Sequence, residues 1–222
     1  MGTVSNILQP GLYAITDSKL TPPESLIASV DAALRGGAVL IQYREKSAPM
    51  PDRLRQAQDL QAICSNAGVP LLINDDVELA RRVGAAGVHL GQTDGSHRQA
   101  REVLGEDAII GITCHADLEL AQKAYDAGAN YLAFGRFYHS GTKPNAPAAS
   151  PSVLTSAKRF QRPLTAIGGI TVDNGTPLIL AGADMLAVVG GVFGGSPADI
   201  EQRARAFTRL FQEHHPLFSI SR

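Results

Sequence analysis

LAGADMLAVVGG, residues 180–191, pairs a small-residue turn with a short β-rich run. Three other stretches repeat the arrangement: GGAVLIQ (36–42), GAAGVHLGQ (84–92) and DAGANYLAFG (126–135). The glycine ahead of each run is suited to end a helix, because a left-handed cap costs glycine nothing. A helix end leading into a buried strand is half of a βαβ unit. Extended outward, the pattern predicts eight strands: Leu12 to Thr16, Val39 to Tyr43, Leu71 to Ile73, Val88 to Leu90, Ile109 to Thr113, Tyr131 to Phe134, Leu164 to Ile167 and Met185 to Val189. Amphipathic stretches lie between them, among them Glu24 to Arg35, Pro51 to Asn66, Val77 to Val83, Leu118 to Ala127 and Pro197 to His214. Ser196 is placed to cap the last of these, with Pro197 in its first turn. Eight such units in 222 residues fit an α/β fold of the closed (β/α)8 TIM barrel type, with an open doubly wound sheet as the competing architecture. The expectation is a single domain over 1–222, with its core at about 11–213 and short tails.

Composition narrows the function classes. Lys plus Arg number 20 against 21 Asp plus Glu, a formal charge of -1, so no basic field attracts nucleic acid or an anionic membrane. An anion site must therefore be local. The N-terminus has no basic segment followed by an apolar one, and no apolar run is long enough to span a membrane, which reads as cytoplasmic. Cys64 and Cys114 lack metal-ligand spacing and are expected to be reduced packing residues.

In such a barrel, chemistry sits at the C-terminal ends of the strands and in the loops that follow. Those positions hold Gln42, Arg44 and Lys46, then Asn74, Asp75 and Asp76, then His89, Gln92 and Asp94, then Thr113, Cys114 and His115, then Ser140, Thr142 and Lys143. Gln42, Arg44 and Lys46 stand two apart, so on a strand they would share a face. Arg44, Lys46 and Lys143 together suit a di-anionic group, although each alone reads as an ordinary surface charge. Asp75 and Asp94 are candidate ligands for Mg²⁺, which takes one or two carboxylates plus waters and phosphate oxygens. Asp76 could as easily cap the helix of DDVELARR. AIGGI (166–170) and VVGGVFGG (188–195) follow the last two strands, where backbone amides and glycine can cradle a phosphate; the bland alternative is a pair of tight turns. His89 reads either as a satisfied core histidine or as a site residue. Adjacent Cys114 and His115 would face opposite sides of a strand, which argues against a thiol–imidazole pair. No Ser/His/Asp triad, zinc motif or dinucleotide fingerprint occurs. The loop HSGTKPNAPAAS (139–150) is a candidate lid.

QYREK, INDD, GVHLGQTD, GITCH, YLAFGRFYHSGTKP, AIGGI and AGADMLAVVGGVF, in that order and spacing, resemble the thiamine phosphate synthase family. The resemblance runs from about Gly11 to Phe207. It implies a transferase that condenses a hydroxymethylpyrimidine diphosphate with a thiazole phosphate, expelling pyrophosphate with Mg²⁺. It further implies that Arg44, Lys46, Asn74 and Lys143 hold the diphosphate and that Asp75 and Asp94 hold the metal. Gln42 and His89 would contact the pyrimidine, with Tyr13 near it, and Thr113 stands where the family has a pyrophosphate-binding serine. Ser140 and Thr142 would position the thiazole and diphosphate, and the backbone at Gly169, Val189 and Gly190 would hold the thiazole phosphate. Three departures are visible: Thr113 for serine and Ser140 for threonine keep a hydroxyl, whereas Gly190 for serine loses one. Partners are then small-molecule substrates, with neither nucleic acid nor membrane, and a homo-oligomer is left open. The rival readings are a thiazole tautomerase on the same barrel and a non-catalytic phosphate sensor; the intact set Arg44, Lys46, Asp75 and Asp94 speaks against both. The tail HHPLFSISR, 214–222, has no assignable role.

Overall fold

A computed structural model of the chain describes residues 8–92, 97–139 and 148–219. Eight parallel strands close a barrel in sequence order. They are β1 (Gly11–Ile15), β2 (Leu40–Tyr43), β3 (Leu71–Asn74), β4 (Gly87–Leu90), β5 (Ile109–His115), β6 (Tyr131–Gly135), β7 (Leu164–Ile167) and β8 (Met185–Val188). Helices α1 (Leu26–Arg35), α2 (Met50–Ala67), α3 (Val77–Val83), α4 (His97–Leu104), α5 (Leu118–Asp126), α6 (Ser152–Ala157), α7 (Val172–Ala181) and α8 (Pro197–His214) alternate with the strands. A short α9 (Pro216–Ser219) follows, and a 3-10 turn extends α6. The closed ring removes the competing open sheet.

Local chemistry sets these boundaries. Ser196 accepts from Asp199 N at 3.3 Å while the Asp199 carboxylate accepts from Ser196 N at 2.9 Å. This reciprocal box starts α8, with Pro197 at its first turn, as expected. Gly84 and Gly182 end α3 and α7 in the left-handed region. In GGAVLIQ and DAGANYLAFG the left-handed glycine is Gly37 or Gly128, one residue after the cap.

The pleat sorts side chains into two cores. One set faces the helices, among them Leu12, Ile41, Leu132, Leu186, Phe207 and Phe211. The other fills the barrel with Tyr13, Ile15, Leu40, Leu72, Ile109, Tyr131 and Met185. Glycine makes room where the interior is tightest: a Cβ on Gly111 would lie 1.9 Å from Tyr131 Cζ. The ring closes between β8 and β1, where Gly11 N donates to Asp184 O at 3.0 Å and Tyr13 pairs with Ala187. Outside this seam Gly36 lies against Ala204, so α1 and α8 approach closely.

Candidate active site

A chain of hydrogen-bonded polar side chains crosses the barrel interior. Gln42 on β2 donates its amide nitrogen to Tyr13 Oη of β1. The Tyr13 hydroxyl meets that of Tyr131 at 2.9 Å, with the rings edge to face at 88°. Tyr131 Oη lies 2.8 Å from His89 Nδ1, and His89 Nε2 lies 2.9 Å from Thr113 Oγ1. Gln92 donates to the Thr113 carbonyl. Burial pushes the Tyr13 and Tyr131 hydroxyls well above the usual phenol range, so both keep their protons. His89 is thus a buried histidine hydrogen-bonded at both ring nitrogens, as the interior reading of it expects.

The charged residues stand above this ladder, and here one expectation needs correcting. β2 ends at Tyr43, so only Gln42 owes its direction to strand alternation. Arg44 and Lys46 are carried to the rim by the following turn, anchored where Arg44 N donates to Thr16 Oγ1 at 2.9 Å. The Arg44 guanidinium lies 4.0 Å from Asp17, and Lys46 Nζ 3.1 Å from Asp75 Oδ2. Asn74 Nδ2 donates to the same Asp75 oxygen at 2.6 Å. Asp75 adopts φ 63°, and its backbone N–H donates to His89 O at 2.9 Å, which binds the loop after β3 to β4.

The two neighbouring aspartates divide their work. Asp76 caps α3 by accepting from Leu79 N at 2.8 Å and pairs with Arg53 at 2.8 Å, so its carboxylate is committed to structure. Asp75 is left facing Lys46, and both aspartates border an open cavity of about 640 Å³ whose wall continues along α3 and α4 through Glu78, Gln99 and Val103. The hard oxygens of Asp75 are the donor chemistry a divalent cation takes. Among the described residues no group of three or more His, Cys, Asp or Glu gathers for a metal, so an ion here would draw on few protein ligands and on substrate oxygens. Asp94, its expected companion, lies outside the described residues, as do Ser140, Thr142, Lys143 and most of the candidate lid.

Across the barrel mouth the loops after β6, β7 and β8 form a glycine cradle. Phe137 N and Tyr138 N donate to the carbonyls of Ile167 and Gly168 at 3.1 and 2.9 Å. That zipper brings His139 O to 2.2 Å from where a Gly169 Cβ would be, so only glycine, at φ 65°, fits there. Asn174 donates to Gly169 O at 3.0 Å and fixes the turn onto α7. After β8, Val189 O accepts from Val192 N at 3.2 Å and Phe193 N at 2.9 Å, closing a tight turn with Gly190 exposed at its tip. Arg203 of α8 donates to the carbonyls of Val192 and Gly194 and holds this turn in place.

Neither cysteine takes part. Cys64 and Cys114 are buried and free, and burial pushes each thiol up to about 12. The strand register shifts between Thr113 and His115, and His115 is exposed whereas Cys114 is buried. Tyr131 is the interior residue that sequence reasoning missed: YLAFG reads as a plain apolar strand. The available signal was that a buried tyrosine needs a partner for its hydroxyl.

The family model described as thiamine monophosphate synthase matches residues 12–192. The chain belongs to the thiamine monophosphate synthase family. It is 65% identical over 221 residues to the thiamine-phosphate synthase of Marinobacter nauticus, covering 100% of both chains. A solved thiamine phosphate pyrophosphorylase from Pyrococcus furiosus superposes with TM-score 0.84 at 30% identity, over 93% of this chain and 97% of that one. The solved structure of KGPDC from Streptococcus mutans, with TM-score 0.63 at 15% identity over 93% of this chain and 99% of that one, shares the barrel alone. As a member of the thiamine monophosphate synthase family the chain is a transferase of thiamine biosynthesis. Among the described residues no helix is long and apolar enough to cross a membrane.

Proposed function

We propose that the chain joins 4-amino-2-methyl-5-hydroxymethylpyrimidine diphosphate to hydroxyethylthiazole phosphate, releasing thiamine monophosphate and pyrophosphate with Mg²⁺ as cofactor, as one cytoplasmic barrel domain. The observation that carries this reading is the opposition, across one barrel mouth, of the Lys46–Asp75 pair and the glycine cradle at Gly169 and Gly190. Two anionic groups need two separate receptors, and this reading gives the cationic side to the diphosphate and the glycine side to the thiazole phosphate.

Arg44, Lys46, Asn74 and Lys143 hold the diphosphate, and Thr113 offers it a hydroxyl. Asp75 and Asp94 hold Mg²⁺, which when bound supplies positive charge to the leaving group. Gln42 and His89 orient the pyrimidine, with Tyr13 beneath them. Ser140 and Thr142 position the thiazole and the diphosphate, while Gly169, Val189 and Gly190 take the thiazole phosphate. The C–O bond to the diphosphate breaks, the electron-rich aminopyrimidine carries the methylene cation, and the thiazole nitrogen attacks it. This chemistry needs no protein nucleophile, in keeping with two protonated, buried thiols. The protein contributes alignment and charge neutralisation. Each cation about 4 Å from the leaving group contributes roughly 1 kcal/mol in water and about 4 at an intermediate dielectric.

Purified protein given both substrates and Mg²⁺ is expected to release pyrophosphate and form thiamine monophosphate in equal amounts, and to do neither when one substrate or the metal is left out. Binding of thiazole phosphate without any release would move the function to a tautomerase.

Gly190 supplies a second test. A Cβ there would meet nothing nearer than Leu20 Cδ1 at 3.7 Å, and its φ lies outside the left-handed region. Gly190→Ser is therefore expected to fold unchanged and to lower KM for the thiazole phosphate about threefold to tenfold by adding one hydrogen bond to the phosphate. A raised KM would show that the turn at 189–193 does not face that phosphate.

A further inference from the structure

The residue that follows β1 has a part in the site that strand pairing alone does not predict. β1 and β2 run in parallel with Ile15 opposite Gln42, and the pairing continues one bond past β1, where Thr16 N donates to Gln42 O at 3.0 Å. Bonds in a parallel pair alternate between the strands at even spacing, so the next would run from Arg44 N to the Thr16 carbonyl. Instead Arg44 N donates to the Thr16 hydroxyl oxygen at 2.9 Å. We propose that Thr16 is a positioning residue for Arg44: its hydroxyl takes the place of the carbonyl, ends β2 at Tyr43 and sets where the guanidinium stands at the barrel mouth. That Arg44 then holds a diphosphate belongs to the functional reading, on which the consequence for binding rests.

The anchor is stiff. Thr16 is 1% exposed, and branching at Cβ restricts its rotation. The turn beyond Arg44 is closed on itself, because the Glu45 carboxylate accepts from Ser47 N at 2.6 Å and Ala48 N at 3.1 Å. Arg44 therefore owes its hold on the end of β1 to Thr16. A second contact is weaker. Asp17 Oδ1 accepts from Lys19 N at 3.0 Å and Leu20 N at 3.3 Å, which leaves Oδ2 toward the Arg44 guanidinium at 4.0 Å. The Arg44 and Asp17 side chains are 24% and 20% exposed, so solvent screens this pair and it steers the guanidinium only loosely. The hydrogen bond at the backbone decides the position.

Amide hydrogen exchange reads the anchor without any substrate. The Arg44 N–H is expected to be protected in wild type, to exchange about tenfold faster or more in Thr16→Val, and to stay within about threefold of wild type in Thr16→Ser, which keeps the hydroxyl. Ile41, whose N–H donates to Pro70 O at 3.1 Å, is the internal reference and should keep its rate in both variants. Thr16→Ala removes the same hydroxyl and replaces Thr16→Val if that protein does not fold. An unprotected Arg44 N–H in wild type, or one whose rate is unmoved by loss of the hydroxyl, overturns the inference.

Calorimetric binding of inorganic pyrophosphate with Mg²⁺ separates positioning from a merely structural role. Thr16→Val should weaken it about fivefold to tenfold and Thr16→Ser less than twofold, whereas in an Arg44→Ala background Thr16→Val should add less than twofold. An equal loss in both backgrounds means that Thr16 does not act through Arg44, and it too overturns the inference. An Arg44 amide freed by Thr16→Val, in a protein whose pyrophosphate affinity does not depend on Arg44, supports the anchor and defeats the assignment of Arg44 to the diphosphate alone.

Discussion

Asp75→Asn is expected to lower kcat about a hundredfold or more and to raise the Mg²⁺ concentration needed for half-maximal rate, while the protein unfolds at nearly the wild-type temperature. Asparagine is the informative replacement. Asp75 sits at φ 63°, a conformation that Asn tolerates better than Ala, so the backbone of the loop is kept. What changes is charge: the oxygen that meets Lys46 at 3.1 Å becomes part of a neutral amide, a poor ligand for a hard cation. Lys46 is simultaneously released, so substrate binding should weaken less than catalysis does. Asp76→Asn is the contrasting variant, because its carboxylate caps α3 and pairs with Arg53. That change should reduce thermal stability more than the Mg²⁺ requirement. Rates for Asp75→Asn within threefold of wild type would remove this residue from the metal site.

Gly111→Ala is expected to cost about 3 kcal/mol or more of stability, or to prevent folding. The added Cβ would lie 1.9 Å from Tyr131 Cζ, 2.1 Å from Cε1 and 2.3 Å from the hydroxyl. The Tyr131 ring is 0% exposed and cannot swing into solvent. Either the ring leaves its bond to His89 or β5 and β6 part, and both outcomes damage the polar ladder. For a barrel of this size such a loss lowers the unfolding temperature by roughly 6–12 °C. Gly190→Ser serves as the control for glycine replacement at an open position. A Gly111→Ala protein melting within about 2 °C of wild type would mean that the barrel interior is looser than this packing requires.

Much of the fold is legible because local and global signals agree. Ser196, Pro197 and Asp199 mark the start of α8 by hydrogen-bonding chemistry that needs no distant partner. The strand at Leu164–Ile167 is legible as a short apolar run closed by two glycines. The rim is legible in part, since polar residues at strand ends are conspicuous in an otherwise apolar period. Arg44 and Lys46 reach it by a turn whose path depends on Thr16, 28 residues away, and no periodicity reports such an anchor. Tyr131 and Gly111 are illegible for a related reason. Their complementarity runs between neighbouring strands, where one residue's missing side chain accommodates another's ring, and each alone is an unremarkable strand residue.

The seam between β8 and β1 has a consequence for how the protein is made. A chain growing from its N-terminus can pair β1 with β2 early, but the ring stays open until Met185–Val188 and α8 have left the ribosome. Until then β1 and β7 each present an unpaired edge to the cell. The carboxylates and cations of the rim already exist in that half-made chain, yet the turn at 189–193 does not. On the functional reading proposed above, the receptor for the second substrate is thus the last part of the site to be made. Closure is a contact between the first and the last strand, the kind of long-range pairing that slows folding.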